Sequence, residues 1–195
     1  MEHKGDSMTR RSCFLGSRLL GSYFLAVVAL LLMASTAFGS SAAQSTTTVS
    51  AQDRAWLAEA HRANLAEVQV GKLAEKKGGT PAVPSAGAVL VGDHTKFDIE
   101  VTRAAHDLGV RLPKTAMPGD ITAAARLSNE SGSLFDHDFL STMITGHEQV
   151  IVDTKAEIRK GSSPQVISLA QAALPVLYKH LNLLEKAGPT GRPLR

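Results

Sequence analysis

The 195-residue chain has one cysteine, Cys13, and only 5% of its residues are aromatic. A lone cysteine near the N-terminus excludes internal disulfides, a cysteine-ligated zinc site, an iron–sulfur cluster and a cysteine nucleophile in the rest of the chain. Strand signals are scarce as well, because no alternating β-branched run is bounded by turn dipeptides after residue 50. These absences argue against a β fold and leave helices as the main building element.

An excess of charge of one sign is also missing from most of the chain. The formal net charge is +3, of which +2 belongs to residues 1–43 and only +1 to residues 44–195. A folded part with almost no net charge lacks the excess of positive charge that is typical of nucleic-acid-binding domains. We therefore expect no nucleic-acid partner.

The N-terminal segment has the order of an export signal. Residues 9–18 are basic, residues 19–38 carry no charge, and residues 39–43 are small. Cleavage before Gln44 would release a mature protein. The alternative is an uncleaved anchor, because twenty apolar residues span about 30 Å as a helix and would tie the protein to the membrane. Both alternatives predict an exported protein that is periplasmic, secreted or part of the cell envelope.

The remaining sequence predicts a helical domain between two polar ends. Residues 44–51 are a Ser/Thr-rich linker, and residues 188–195 form a tail rich in proline and glycine. Between them, apolar residues recur at helical spacing in four long segments, which are 52–77, 81–109, 133–160 and 164–187. Thr80 and Ser163 are the predicted caps of the second and fourth segments. Asp120 is the predicted cap of a short extra helix over 120–129.

The short loops predict how the long helices are arranged. Loops 78–80 and 161–163 leave no room for a crossover, so each joins antiparallel neighbours. The economical solution is an all-α, up-down-up-down four-helix bundle spanning residues 52–187, with both short loops at the same end.

One polar residue interrupts the apolar stripe of each long helix. These residues are Glu67, His94, His147 and His180. Counted from the short loops, they lie about 12 to 18 residues along their helices, within about 9 Å of one another along the bundle axis. Three imidazoles and a carboxylate at one level suit zinc, copper or iron. The alternative is a buried hydrogen-bond network, in which Glu67 pairs with a histidine and the others use backbone, water or Asp93.

Three functions remain open from the residues alone. The first is a non-enzymatic structural or interaction module of the cell envelope, with partners that the sequence does not indicate and no catalytic residues. The second is a metal-binding or metal-handling protein that uses Glu67 and the three histidines. A metal-dependent redox enzyme ranks last, because no histidine follows a carboxylate by three residues as in di-iron bundles.

Several phrases of the chain resemble a known family. They are NLAEVQVGKLA at 64–74, VGDHTK at 91–96, FD at 135–136 with MITGH at 143–147, and LPVLYKHL at 174–181. Together they resemble the bacterial domain-of-unknown-function family 4142, and the resemblance implies an exported, ferritin-like helical bundle without an established activity. The family pattern has an aspartate before the third-helix histidine, where this chain has Gly146.

Overall fold

The computed structural model describes residues 48–188, which form a helical bundle. Its helices are α1 (Ala51–Lys77), α2 (Ala82–Asp107), α3 (Pro118–Ser128), α4 (Gly132–Lys160) and α5 (Pro164–Ala187). The predicted signal or anchor at 1–43, residues 44–47 of the linker and residues 189–195 of the tail lie outside the described residues. None of the helices in the described part combines the length and apolar composition that crossing a membrane requires.

The predicted all-α class is confirmed, and all four long helices lie within two residues of their predicted bounds. Two predicted caps are wrong. Thr80 does not cap α2, because Pro81 occupies the cap position in a helical conformation with no side-chain hydrogen bond. Asp120 does not cap α3, because that helix begins earlier, at Pro118, and Asp120 falls in its first turn. Ser163 does cap α5, since its hydroxyl accepts from the Val166 N–H.

Asp53 holds the beginning of α1 against the beginning of α5. Its carboxylate accepts hydrogen bonds from the Ser50 N–H at 2.7 Å and from the Ser162 hydroxyl at 2.7 Å. It also accepts from the backbone N–H groups of Ser162 at 3.0 Å and Ser163 at 3.1 Å. The loop between α4 and α5 therefore lies at the end of the bundle where α1 starts.

Asp136 makes the matching connection at the opposite end. It lies in the first turns of α4 and accepts from the backbone N–H groups of Gly79 at 2.8 Å and Thr80 at 2.9 Å. A single bridge also joins Gly78 to Gly132. The end of α1 is therefore next to the beginning of α4, so these two helices are antiparallel.

These connections correct the predicted helix order. The two short loops lie at opposite ends of the bundle, and the long helices run up, down, down and up rather than up-down-up-down. The connection from residue 108 to residue 131, which contains α3, carries the chain back along the bundle beside α1 and α4. A short loop fixes direction only within its own helix pair, and this longer connection leaves the second pair free to reverse.

The core is divided along the bundle axis. One cluster near the α1–α2 loop contains Leu90, Phe135, Phe139 and Leu184 among its buried residues. A second cluster near the α4–α5 loop is built around Leu57, Val101 and Val166. A third, smaller cluster of Ile151, Ala173 and Leu177 contacts Leu181 of the first cluster and Phe97 of the second, and the candidate site residues His147 and His180 lie one helical turn from it.

Two glycines bring α1 and α2 close together. A Cβ on Gly87 would lie 2.6 Å from the carbonyl oxygen of Gly71 and 2.8 Å from the Cβ of Ala74. Only a residue without a side chain allows such a close backbone approach.

Candidate metal centre

The structure brings together all four candidate residues, one from each long helix. Glu67 of α1, His94 of α2, His147 of α4 and His180 of α5 are each at most 6% exposed. His147 lies near the middle of α4 and would keep its level if that helix were reversed. His180 lies 16 residues after the beginning of α5 and 7 before its end, so its level depends on the direction of α5.

The inner atoms of the four side chains are close to one another. His94 Nε2 lies 2.8 Å from Glu67 Oε2, and His147 Nε2 lies 3.4 Å from the same oxygen. His147 Nε2 is also 3.4 Å from His180 Nδ1. One ring nitrogen from each histidine falls within 4.8 Å of the corresponding nitrogens of the other two.

The outer nitrogen of His94 faces a side-chain amide. His94 Nδ1 is 2.9 Å from Asn64 Oδ1. The other end of that amide donates from Nδ2 to Asp98 Oδ1 at 3.3 Å, which fixes which way Asn64 faces. Because the amide oxygen can only accept, His94 donates from Nδ1 and leaves a lone pair on Nε2 when the ring is neutral.

The other two histidines are held in the same way. His147 donates from Nδ1 to the Met143 carbonyl oxygen at 2.9 Å. His180 donates from Nε2 to Asp93 Oδ2 at 3.1 Å. In neutral rings the remaining nitrogens, His147 Nε2 and His180 Nδ1, then carry lone pairs that face the interior.

Asp93 does not orient His94, the residue that follows it in the sequence. It contacts His180 across the helix interface instead of His94 beside it in α2. The position of Gly146 faces outward, since a Cβ there would have no neighbouring atom within 4 Å. His147 is oriented by a carbonyl of its own helix, so the glycine at 146 does not remove its partner.

Charged side chains and burial shift the pKa values of residues in the cluster. Burial alone would raise the pKa of Glu67, but the histidine charges of His147 and His94 outweigh it and lower the pKa to about 2. Burial alone would lower the pKa of His94, but the Glu67 carboxylate outweighs it and raises that pKa. Burial lowers the pKa of His180, with the two other histidines adding to the effect. The site therefore holds an ionised carboxylate that attracts positive charge.

Two of the spacings in the cluster match the separation of ligand atoms around a metal ion, whereas the 2.8 Å between His94 and Glu67 is shorter and the histidine nitrogens spread over up to 4.8 Å. Zinc binds imidazole nitrogen and carboxylate oxygen at about 2.0–2.1 Å, so two tetrahedral ligand atoms lie about 3.3 Å apart. The contacts of His147 Nε2 with Glu67 and His180 have nearly this length. Glu67 Oε2 and His94 Nε2 are buried and lack the geometry of a hydrogen bond despite their 2.8 Å approach. When His94 is neutral, both atoms present lone pairs to the space between the helices.

Sequence reasoning did not identify two of the residues that orient His94. Asn64 lies one helical turn before Glu67 and is buried, and Asp98 lies one turn after His94. Their spacing along the helices is a signal that could have found them, because residues three or four apart share a helix face. The partner of His147 is a backbone carbonyl, for which the sequence carries no signal.

Comparison with known families identifies the chain. The model of the family described as "Domain of unknown function (DUF4142)" matches residues 38–187, which cover the helical bundle. The chain belongs to this family. The comparison with curated proteins gave no match, and neither did the comparison with solved structures.

Proposed function

We propose that this DUF4142 protein binds one divalent transition-metal ion through His94, His147, His180 and Glu67. The observation that carries the proposal is the direction of the three imidazoles. Each has an acceptor for its outer N–H, namely an amide, a backbone carbonyl and a carboxylate, so in the neutral ring the inner nitrogen carries a lone pair. Three such lone pairs and a carboxylate oxygen facing one point repel one another unless a cation lies between them.

The donor set favours zinc or copper, and iron is the third option. Neutral imidazole nitrogen suits all three metals, and four protein ligands without a thiolate exclude a cysteine-type site. Four ligands also complete a tetrahedral shell, which is typical of sites that hold a metal for structure or storage. Metal binding or handling is therefore favoured over redox catalysis, for which the Glu-x-x-His pairs of di-iron bundles are missing from the sequence.

Metal-dependent stability tests this proposal. Chelator-treated protein is mixed with zinc, copper or iron at pH 7, and the bound metal is counted by elemental analysis. At a free metal concentration 100 times the Kd, binding stabilises the folded state by about 2.7 kcal/mol. For a domain of this size that raises the Tm by about 5–10 °C. The metal-dependent rise in Tm should decrease below about pH 6.5, because protons then compete with the metal for the histidine nitrogens.

Two histidine variants provide the matched comparison. His147→Ala removes one of four ligands and should abolish most of the metal-dependent rise in Tm. His137→Ala should leave the rise intact, because that side chain is 63% exposed and lies in the first turns of the same helix. A wild-type Tm at pH 7 that does not respond to any of the three metals would refute metal binding.

That result would favour the second candidate function, a structural or interaction module with a polar core. The 2.8 Å approach of His94 to Glu67 supports this candidate, since a protonated His94 would make a buried ion pair there. His147→Ala would then destabilise the protein by about 1–3 kcal/mol with or without metal.

We also propose export and a ferritin-like bundle. Export rests on the basic, apolar and small-residue order of residues 9–43. N-terminal sequencing of protein recovered from cells tests it, and intact protein in the cytoplasm would refute it. The ferritin-like assignment is supported by the single long crossover between α2 and α4, which ferritin-like bundles share.

A further inference from the structure

A cavity of about 390 Å³ lies next to the histidine–glutamate cluster. Glu67, His94 and His180 form part of its wall, and His147 does not. The remaining inner wall is mostly apolar and includes Trp56, Ala63, Phe97, Val150, Ala173 and Leu177. The cavity therefore has an apolar body with one polar region, which is the usual composition of a small-molecule site.

The aromatic part of the wall is held in place. The Trp56 indole donates to the Thr154 hydroxyl at 3.3 Å, and its ring meets Phe97 edge to face with centroids 6.4 Å apart. Phe97 lies on the inward stripe of α2 but is only partly buried, because the cavity lies beside it. A fixed aromatic surface that faces open space is preorganised to receive an apolar ring or chain.

The exposed part of the lining restricts the charge of a ligand. Glu59 and Glu100 lie there with Lys96 and Lys179, and Asp93 and Asp153 add two further carboxylates. Carboxylates outnumber lysines, which disfavours an anion at the entrance. The apolar body disfavours any ionised group farther in.

We propose that this cavity binds a small, uncharged, mainly apolar molecule whose polar end contacts the histidine–glutamate cluster. Its volume is more than twice that of the roughly 150 Å³ protein cavity known to take benzene, so two fused or linked rings fit. The inference goes beyond metal binding and requires no metal, because its argument uses the cavity wall alone.

The only tryptophan of the chain reports on occupancy. The probe is N-phenyl-1-naphthylamine, an uncharged aromatic amine that fluoresces in apolar surroundings and accepts energy from tryptophan. Titration into chelator-treated full-length protein should give saturable emission, with quenching of Trp56. Stoichiometry should approach one probe per chain.

Filling the cavity provides the control. Ala173→Phe adds a ring to the wall and should weaken probe binding at least tenfold. Ala125→Phe makes the same change at an exposed position of α3 and should leave binding unchanged. If Ala173→Phe does not fold, Ala63→Leu fills the cavity from α1 instead. Helical circular dichroism is checked for each variant.

The outcomes separate this inference from the metal proposal. Probe binding in metal-free protein that Ala173→Phe abolishes supports the cavity, whether or not metal changes the Tm. No saturable binding by wild-type protein would overturn the inference and leave metal binding standing. Equal binding by wild type and both cavity-filling variants would also overturn it, because the probe would then lie elsewhere.

Discussion

Glu157 gives the sharpest test of the electrostatics away from the histidine–glutamate cluster. Its side chain in α4 is fully buried, and its carboxyl group lies against the side chains of Asp53 and Gln52 in α1. Burial and, after it, the neighbouring Asp53 raise the pKa of Glu157 from 4.5 to about 7. Replacement by glutamine keeps the shape and removes the charge, so Glu157→Gln mimics the protonated residue at every pH.

The sign of the effect follows from proton binding. Between pH 4.5 and about 7 the folded protein keeps a proton on Glu157 that the unfolded chain has released. The free energy of unfolding therefore falls as pH rises through this window, and the loss is complete above it. A pKa raised from 4.5 to about 7 corresponds to a loss of about 3 kcal/mol across this window. The advantage of Glu157→Gln over wild type should grow by about that amount between pH 4.5 and pH 8.

Urea denaturation at several pH values measures this difference. Glu148→Gln makes the same change at an exposed position of α4 and should show no comparable pH dependence. A constant difference between Glu157→Gln and wild type from pH 4.5 to pH 8 would show that Glu157 ionises normally. The account of its burial would then be refuted.

Two further predictions concern helix packing and the loop connections, and denaturation measures both. Gly87→Ala should destabilise the protein by about 1–3 kcal/mol, because the added Cβ meets the Gly71 carbonyl. Gly92→Ala on the same helix meets no atom within 4 Å and should stabilise by about 0.5–1 kcal/mol. Asp136→Ala should cost about 1.5–3 kcal/mol by removing the acceptor of two backbone N–H groups, whereas His137→Ala beside it should change stability by less than about 0.5 kcal/mol. Equal effects within either pair would contradict these contacts.

The helices were predictable because their signals are local. The predicted helix bounds follow from the apolar spacing, the glycines after α1 and α4, and the serine before α5. The observed bounds differ from them by two residues at most. The direction of the second helix pair was not predictable from the short loops. It is visible only in the contacts of Asp53 and Asp136, whose partners lie in loops distant in sequence. The length of the 108–131 connection was the available signal for a crossover.

The candidate site was predictable for a different reason. A polar residue in an apolar stripe points inward, and each of the four long helices carries one such residue well away from its ends. Their orienting partners were harder to find, since a backbone carbonyl such as that of Met143 has no sequence signal. Asp93 was expected to orient a histidine, and only the packing of α2 against α5 shows that this histidine is His180.

The crossover between α2 and α4 has a consequence for the order of folding. Each half of the bundle is a hairpin of adjacent helices, α1–α2 and α4–α5, and such local contacts form quickly. Each hairpin carries two of the four cluster residues, so neither can assemble the cluster alone. The cluster forms only when the hairpins dock, a step that must close the long connection first. A metal ion bound there would contribute only after the two hairpins have docked. It would therefore slow the separation of the hairpins more than it speeds their docking.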